Sequence, residues 1–385
     1  MCRLDPEHLA RLSDITDHTA VIALRTDAPD SEWTALAAAV HAHSPFTRIV
    51  TFTETDQDRC AAIGAALSVP AHSPSTVRMV HDKQAMRARL RETGVDDTPS
   101  VFVADLEEAR TFVRVHGLPC IVKPVSGAGS VGIALVTAES EIEQAVQRAT
   151  ATGQAIIEPF HVGPQFSVEA LSENGDHYVV AVTRKFSDPH TLVELGHIVP
   201  ADLTGDELNS IRDYVPRLLA ALNVTSGPTH TELVLTPKGP RVIETHLRMG
   251  GDEIPQLIHD ATGIDLPGYV ARQSAGMNVL DHLRTQAAQT TPARHAAIWF
   301  ASPPASGLLT SIDGMDEAGQ TQAVTSVQLL IDPGTRIGSL DSSTSRLAFA
   351  RAIAPTGRQA VEAARQAIAR LTFGIRMQAR DEETI

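Results

Sequence analysis

Aromatic side chains make up only 4% of this 385-residue chain, too few for a surface on which bases or sugars stack in series. Basic residues are outnumbered, 32 Lys and Arg against 46 Asp and Glu for a net charge of −14, and no basic tract stands out. Nucleic acid and anionic membranes are therefore not expected partners, although a local basic site for a small anion such as a nucleotide stays open. The three cysteines, Cys2, Cys60 and Cys120, share no metal-binding spacing and cannot all pair, which fits a reducing, cytoplasmic setting. No run approaches the roughly 20 apolar residues of a membrane span. The opening stretch MCRLDPEHLARLSD has no apolar segment of the kind a signal peptide needs.

What is present is an ordinary globular composition, 43% hydrophobic, over a length that suits two or three domains. Residues 1–80 alternate strand-like and helix-like segments: TAVIALRT, then SEWTALAAAVHAHS, RIVTFTE and DQDRCAAIGAALSVP. This βαβ order predicts a small Rossmann-like α/β domain with a parallel sheet. Residues 81–288 form the predicted core, with a glycine-loop subdomain over about 100–160. They open on a helix capped by Asp82, and a capping box at Thr204 and Glu207 starts another. Past a boundary near RTQAAQTTPARH, residues 289–385 predict a strand-rich α+β domain closed by the helix AVEAARQAIARL.

The stretch PVSGAGSVGIALV contains G-x-G-x-x-G at Gly127 to Gly132. A dinucleotide fingerprint needs a helix after its glycines, whereas IALV is β-branched and apolar and predicts a strand. The glycines therefore belong to a hairpin. Such a loop, with Ser126 and Ser130 beside Gly127 and Gly129, offers N–H and hydroxyl donors to phosphate, and Lys123 lies just upstream. A surface hairpin with a snorkelling lysine would show the same residues.

A second hairpin, HTELVLTPKGPRVIETHLRMGG, places Glu232 opposite Glu244 if TPKGP is the turn, both on one face. Facing carboxylates destabilise a sheet unless a cation lies between them, and hard oxygens suit Mg²⁺. His246 and Arg248 follow at two-residue steps, and Gly250 and Gly251 would let a substrate approach the backbone.

Together these motifs resemble the ATP-grasp superfamily. In order they are HDK (Lys83), IVKPVSGAGSVGI (Lys123 and the loop), IIEPFHVGPQFSVEA (from Glu158), TEL (Glu232) and ETHLRMGG (Glu244 to Gly251), spanning roughly Val80 to Leu266. The segment TLVELGHIVPA further resembles the ATP-grasp L-amino-acid ligases, which form dipeptides. The resemblance implies an ATP-grasp fold in which Lys83 and Lys123 contact the ATP phosphates. Glu158 with the backbone of Pro159, Phe160 and His161 would form the adenine hinge. Gln165 stands where relatives often have a ribose-binding Glu. Glu232 and Glu244 would ligate Mg²⁺, with Mn²⁺ as an alternative, and His246 stands where many relatives have a metal-binding Asn. Arg248 would stabilise the transferred phosphoryl group and the acyl intermediate. Glu194 and His197 would face the amino-acid pocket, Glu194 toward a substrate ammonium and His197 toward a carboxylate or the acyl phosphate.

The implied activity is ATP-driven amide formation between small molecules, through an acyl phosphate and without a side-chain nucleophile, in a chain that is a homodimer in many relatives. Alternatives are an ATP-grasp ligase of nucleotide precursors, a cyclising ligase of specialised metabolism, or an ATP-binding module without catalysis.

Overall fold

The computed structural model describes the chain except residues 7–8, 11–18, 127–128, 130, 152, 291–293 and 378–385. It forms two compact units, Met1–Val77 and Arg78–Ile385.

In the first unit, β1 (Cys2–Arg3) pairs in parallel with β2 (Ala23–Leu24). Helices Asp30–His43 and Gln57–Leu67 pack through Ala28, Trp33, Ala37 and Ile63. The parallel pairing agrees with the βαβ expectation, but the sheet is two residues deep. The segment RIVTFTE forms no strand: Val50 and Phe52 are 49% and 56% exposed, and a strand without a ladder partner has little to hold it. The first of these helices begins at Asp30, directly after Pro29.

In the second unit every described strand pair is antiparallel. The small sheet holds β3 (Val101–Val103), β4 (Cys120–Pro124), β5 (Ala134–Val136) and β6 (Ala155–Pro159), in the order β3-β6-β4-β5. Helices Leu106–His116 and Ile142–Thr150 are amphipathic and cover one of its faces. Phe112, Val113, Ile142 and Val146 meet Val122, Val136 and Ile157 there in a continuous core. Lys123 alternates with Val122 and so emerges on the other face. The glycine stretch joins β4 to β5, with Cys120 opposite Val136, as the hairpin reading requires.

The large sheet contains β7 (Gln165–Glu173), β8 (Asp176–Ser187), β9 (Glu194–Val199), β10 (Gly227–Thr236), β11 (Gly239–His246), β12 (His295–Ala301), β14 (Val324–Leu329) and β16 (Ala348–Ala354). Its order is β11-β10-β7-β8-β9-β12-β16-β14. It therefore takes strands from both sides of residue 289, the position of the boundary expected from the sequence. Helices Ile254–Thr262, Leu266–Ser274 and Leu280–Gln289 bury Leu257, Ile258, Tyr269 and Leu283 against this sheet. A third sheet, β15-β13-β17, joins β13 (Gly307–Asp313), β15 (Arg336–Ile337) and β17 (Thr372–Arg376). The chain thus adds a strand after its last helix, Gly357–Ala369, where the sequence reading closed on the helix.

Turn and cap chemistry sets these elements. The β7–β8 turn uses Asn174 and Gly175 at φ 53° and 82°, the left-handed pair that a two-residue hairpin needs. Thr204 and Glu207 bond reciprocally as a capping box. Among the described residues no helix is long and apolar enough to cross a membrane.

Candidate functional site

A cavity of about 460 Å³ lies between the small and large sheets. Of the residues predicted from sequence, Lys83, Lys123, Ser126, Gly129, Glu158, Pro159, Phe160, His161, Gln165, Glu194, His197, Glu232, Glu244, His246, Arg248 and Gly251 line it. Gly127 and Ser130 lie outside the described residues. Gly250 is a correction: its N–H donates to Glu169 Oε2 at 2.8 Å. A side chain added there would lie 2.8 Å from Glu169 Oε1 and from His230 Nδ1, so Gly250 is small to admit a protein carboxylate, not a substrate.

Asp82 fixes one lysine. Its carboxylate accepts from the N–H groups of Gln84 and Ala85 at 2.9 Å, and the Lys83 N–H donates to the carbonyl of Val125 at 3.1 Å. This ties the start of helix Lys83–Glu92 to the end of β4. Lys83 Nζ reaches Glu244 Oε2 at 3.0 Å. Lys123 Nζ lies 2.8 Å from Glu158 Oε2. Arg87, one helical turn after Lys83, bonds the same carboxylate through Nε at 2.7 Å and Nη2 at 3.0 Å. Burial raises the Glu158 carboxyl, but Arg87 and Lys123 outweigh it and hold the pKa at about 2. The Glu158 side chain is thus committed to the wall of the cavity, and only its backbone is left for the hinge role. The Phe160 N–H of that hinge already donates to the Pro119 carbonyl at 3.0 Å. His161 Nε2 lies 3.0 Å from Thr98 Oγ1.

Glu232 and Glu244 are direct cross-strand partners on β10 and β11, as predicted, with a bulge immediately after Glu232. Thr231 and Thr245 share a hydroxyl hydrogen bond of 2.8 Å beside them. Each carboxylate has its own ammonium, Lys83 for Glu244 and Lys185 for Glu232. Burial works against ionising Glu232, yet Lys185 and His230 bring its pKa down to about 2. Glu244 is likewise held low against burial, by Lys83 and His246. His230 bonds Glu169 through Nδ1, and this buried partner lifts its pKa to about 10 against the effect of burial.

Two ionised carboxylates facing across a hairpin form a hard-oxygen donor set of the kind Mg²⁺ takes, completing its shell with water and phosphate. The lysine partners show that this pair demands positive charge. Among the described residues no group of three or more His, Cys, Asp or Glu side chains is arranged to hold a metal by itself. The residues therefore fit a cation that is shared with a phosphate ligand.

Beyond the hairpin, Lys185 Nζ also reaches Glu194 Oε1 at 3.1 Å, so the carboxylate expected to hold a substrate ammonium already has one from the chain. His197 Nε2 lies 2.9 Å from Asp252 Oδ2. Arg346 grips Asp252 with both terminal nitrogens, at 2.8 and 2.6 Å, while its guanidinium lies 3.7 Å above the Phe300 ring. Burial would raise the Asp252 carboxyl, but His197 and Arg346 push it far below the ordinary range. Arg346 Nε donates to the carbonyl of Ser343 at 2.7 Å, holding Ser343 and Thr344 at the cavity rim near Gly129. Arg87, Lys185, His230, Asp252 and Arg346 were not singled out in the sequence. Arg87 alone had a signal, one helical turn from Lys83 on the same face.

Comparison with known proteins agrees with this architecture. The family model for the ATP-grasp domain matches residues 116–256, and that for L-amino acid ligase C-terminal domain 2 matches residues 299–376. The chain is 26% identical over 386 residues to an uncharacterized protein, y4rH, of Sinorhizobium fredii, covering 97% of this chain and 78% of that protein. It is 22% identical over 224 residues to the carbamoyl phosphate synthase large chain of Archaeoglobus fulgidus, covering 56% of this chain but only 21% of that one. The solved L-amino acid ligase from Bacillus licheniformis shares the fold at a TM-score of 0.80 and 23% identity, over 92% of this chain and 87% of that one. Two domain matches in the expected order, on a shared fold and around one cavity that gathers the motif residues, show that the chain carries an ATP-grasp domain followed by a domain similar to the C-terminal domain of L-amino acid ligases.

Proposed function

We propose that the protein is an ATP-dependent carboxylate–amine ligase that forms an amide or peptide bond through an acyl phosphate. It would join two amino acids, or an amino acid and another small acid. The observation that supports this best is the facing pair Glu232 and Glu244 in one cavity with Lys83, Lys123 and Arg248. A module that only binds nucleotide has no use for the whole set.

In this reading Lys83, Lys123 and the donors around Ser126 and Gly129 position the triphosphate, with the backbone from Glu158 to His161 against adenine and Gln165 toward the ribose. Glu232 and Glu244, with His246 beside them, would hold Mg²⁺ or Mn²⁺, which when bound neutralises phosphate charge. The substrate carboxylate attacks the γ-phosphate, giving an acyl phosphate and ADP. An amine then attacks the acyl carbon and phosphate leaves. Arg248 steadies the charge on the oxyanion and on the leaving phosphate. The hairpin between β4 and β5 closes over the nucleotide and keeps water from the acyl phosphate.

The test is ADP release with pairs of amino acids, with products identified by mass spectrometry. A pair-dependent rise with a new amide is expected. ATP that binds but is never hydrolysed with any pair would leave a binding module instead.

A further inference from the structure

His197 is 2% exposed yet borders the cavity. Its two ring nitrogens have different surroundings. Nε2 lies 2.9 Å from Asp252 Oδ2. Nδ1 is buried and has no hydrogen-bond partner among the described residues. The tautomer follows from Asp252. A carboxylate gripped by two guanidinium N–H groups, at 2.8 and 2.6 Å from Arg346, is ionised and can only accept. The hydrogen in the His197–Asp252 contact is therefore on Nε2, and in the neutral ring Nδ1 carries a lone pair. Buried acceptors without a donor are rare in folded proteins and call for an explanation. A donor arriving with a substrate supplies one.

The arrangement is built to keep that ring still. Phe300 on β12 meets the His197 ring edge-on, with centroids 6.2 Å apart and planes at 83°, and its face carries the Arg346 guanidinium. Asp252 is held in the left-handed region at φ 52°, a conformation that few non-glycine residues adopt. A ring that bound a carboxylate or an acyl phosphate would have to present an N–H to the ligand. Here its one N–H is spent on Asp252.

We propose that His197 is the general base of the amide-forming step, with Asp252 and Arg346 as positioning residues that hold it in the Nε2–H tautomer; the inference rests on the ligase reading of the site. The ammonium of the amino acid gives one proton to His197 Nδ1, and the lone pair so freed forms the bond to the acyl carbon. The bond from that carbon to the phosphate oxygen breaks, and its electron pair leaves on phosphate. The second proton shed by the nitrogen goes to the departing phosphate, and the imidazolium returns its own to water.

The test compares two nucleophiles. Hydroxylamine is unprotonated at neutral pH and attacks an acyl phosphate without help from a base, giving a hydroxamate that ferric ion reveals. An amino acid needs its proton removed. Each of the twenty amino acids is supplied as carboxylate donor with ATP, Mg²⁺ and either nucleophile. His197→Gln, which keeps a donor toward Asp252 but has no base, is expected to lower amide formation about 100-fold or more and hydroxamate formation less than about tenfold. Asp252→Asn is expected to show the same split with a smaller ratio. Equal losses with both nucleophiles, or undiminished amide formation, would overturn the base assignment while leaving the ligase reading intact. Neither product from the wild type with any donor would overturn both.

A readout that needs no turnover accompanies it. Imidazole ¹⁵N resonances of the unliganded wild type at neutral pH, assigned by through-bond correlation from the His197 backbone, should show Nε2 protonated and Nδ1 bare. A hydrogen on Nδ1 would overturn the proposal even if the variants fail to fold.

Discussion

Two carboxylates flank the cavity, Glu158 buried and Asp252 partly so, and each is clamped by two nitrogen-bearing side chains. Glu158 lies between Arg87 and Lys123. Asp252 lies between Arg346 and His197. In the first clamp Arg87 is a permanent cation, and Lys123, whose pKa burial lowers, is held against the Glu158 carboxylate. Both side chains are engaged on the one Glu158 carboxylate, so the work of this clamp is to hold β6, β4 and helix Lys83–Glu92 in one geometry. In the second, one partner is an imidazole with a nitrogen to spare. The same carboxylate chemistry thus makes a wall in one place and a device for moving a proton in the other, and the identity of one partner decides which.

The widest difference between the clamps should appear on truncating the carboxylate. Glu158→Ala leaves Arg87 and Lys123 buried together without a counter-charge, and about 3–5 kcal/mol of stability should be lost, measurable by urea unfolding. A loss below about 1 kcal/mol would mean that the clamp does not hold the wall.

Acid titration sharpens the contrast. The folded pKa of Glu158, about 2, is below the ordinary 4.5. Its contribution is therefore fully present above pH 4.5 and is lost as pH falls from 4.5 toward 2. The depression corresponds to roughly 3 kcal/mol over that window. Glu158→Gln should flatten the unfolding free energy between those pH values. An unchanged slope would place the acid sensitivity elsewhere, with Asp252 as the next candidate because it too is held low.

A third carboxylate, the buried Glu169, extends the comparison by a steric route. Gly250→Ala would drive a methyl group into the contact between Glu169 and His230 and should cost about 1–3 kcal/mol. Gly251→Ala meets nothing within 4 Å and should change stability by about 0.5 kcal/mol or less. Equal effects on melting would refute the packing explanation for Gly250.

These clamps also mark where the sequence stopped being legible. The glycine hairpin, the facing pair Glu232 and Glu244, and the caps at Asp82 and Thr204 could be read because each is set by turn chemistry and alternation within a few residues. Asp252 is 94 residues from Arg346 and 55 from His197. No local period links them. Only the path of the large sheet from β9 into β12, on either side of residue 289, brings them together. RIVTFTE failed for the opposite reason, since its local pattern was strand-like but no partner strand lies beside it among the described residues. Gly250 was visible as a glycine, but its reason, a buried Glu169 on β7, was not.

At the clamps themselves, the smaller stability change should come from Asp252→Asn, at about 1 kcal/mol. Asn keeps one carbonyl oxygen for Arg346, the guanidinium keeps Phe300 and the Ser343 carbonyl, and the Asp252 side chain is 22% exposed, so water can reach what remains. The Asn amide nitrogen, however, offers a hydrogen where His197 met an acceptor, which favours the wrong tautomer of the ring. Unfolding by urea should therefore barely distinguish the variant from wild type, while amide formation falls relative to hydroxamate formation. A stability loss as large as that of Glu158→Ala would make both clamps walls, and the difference between them would vanish.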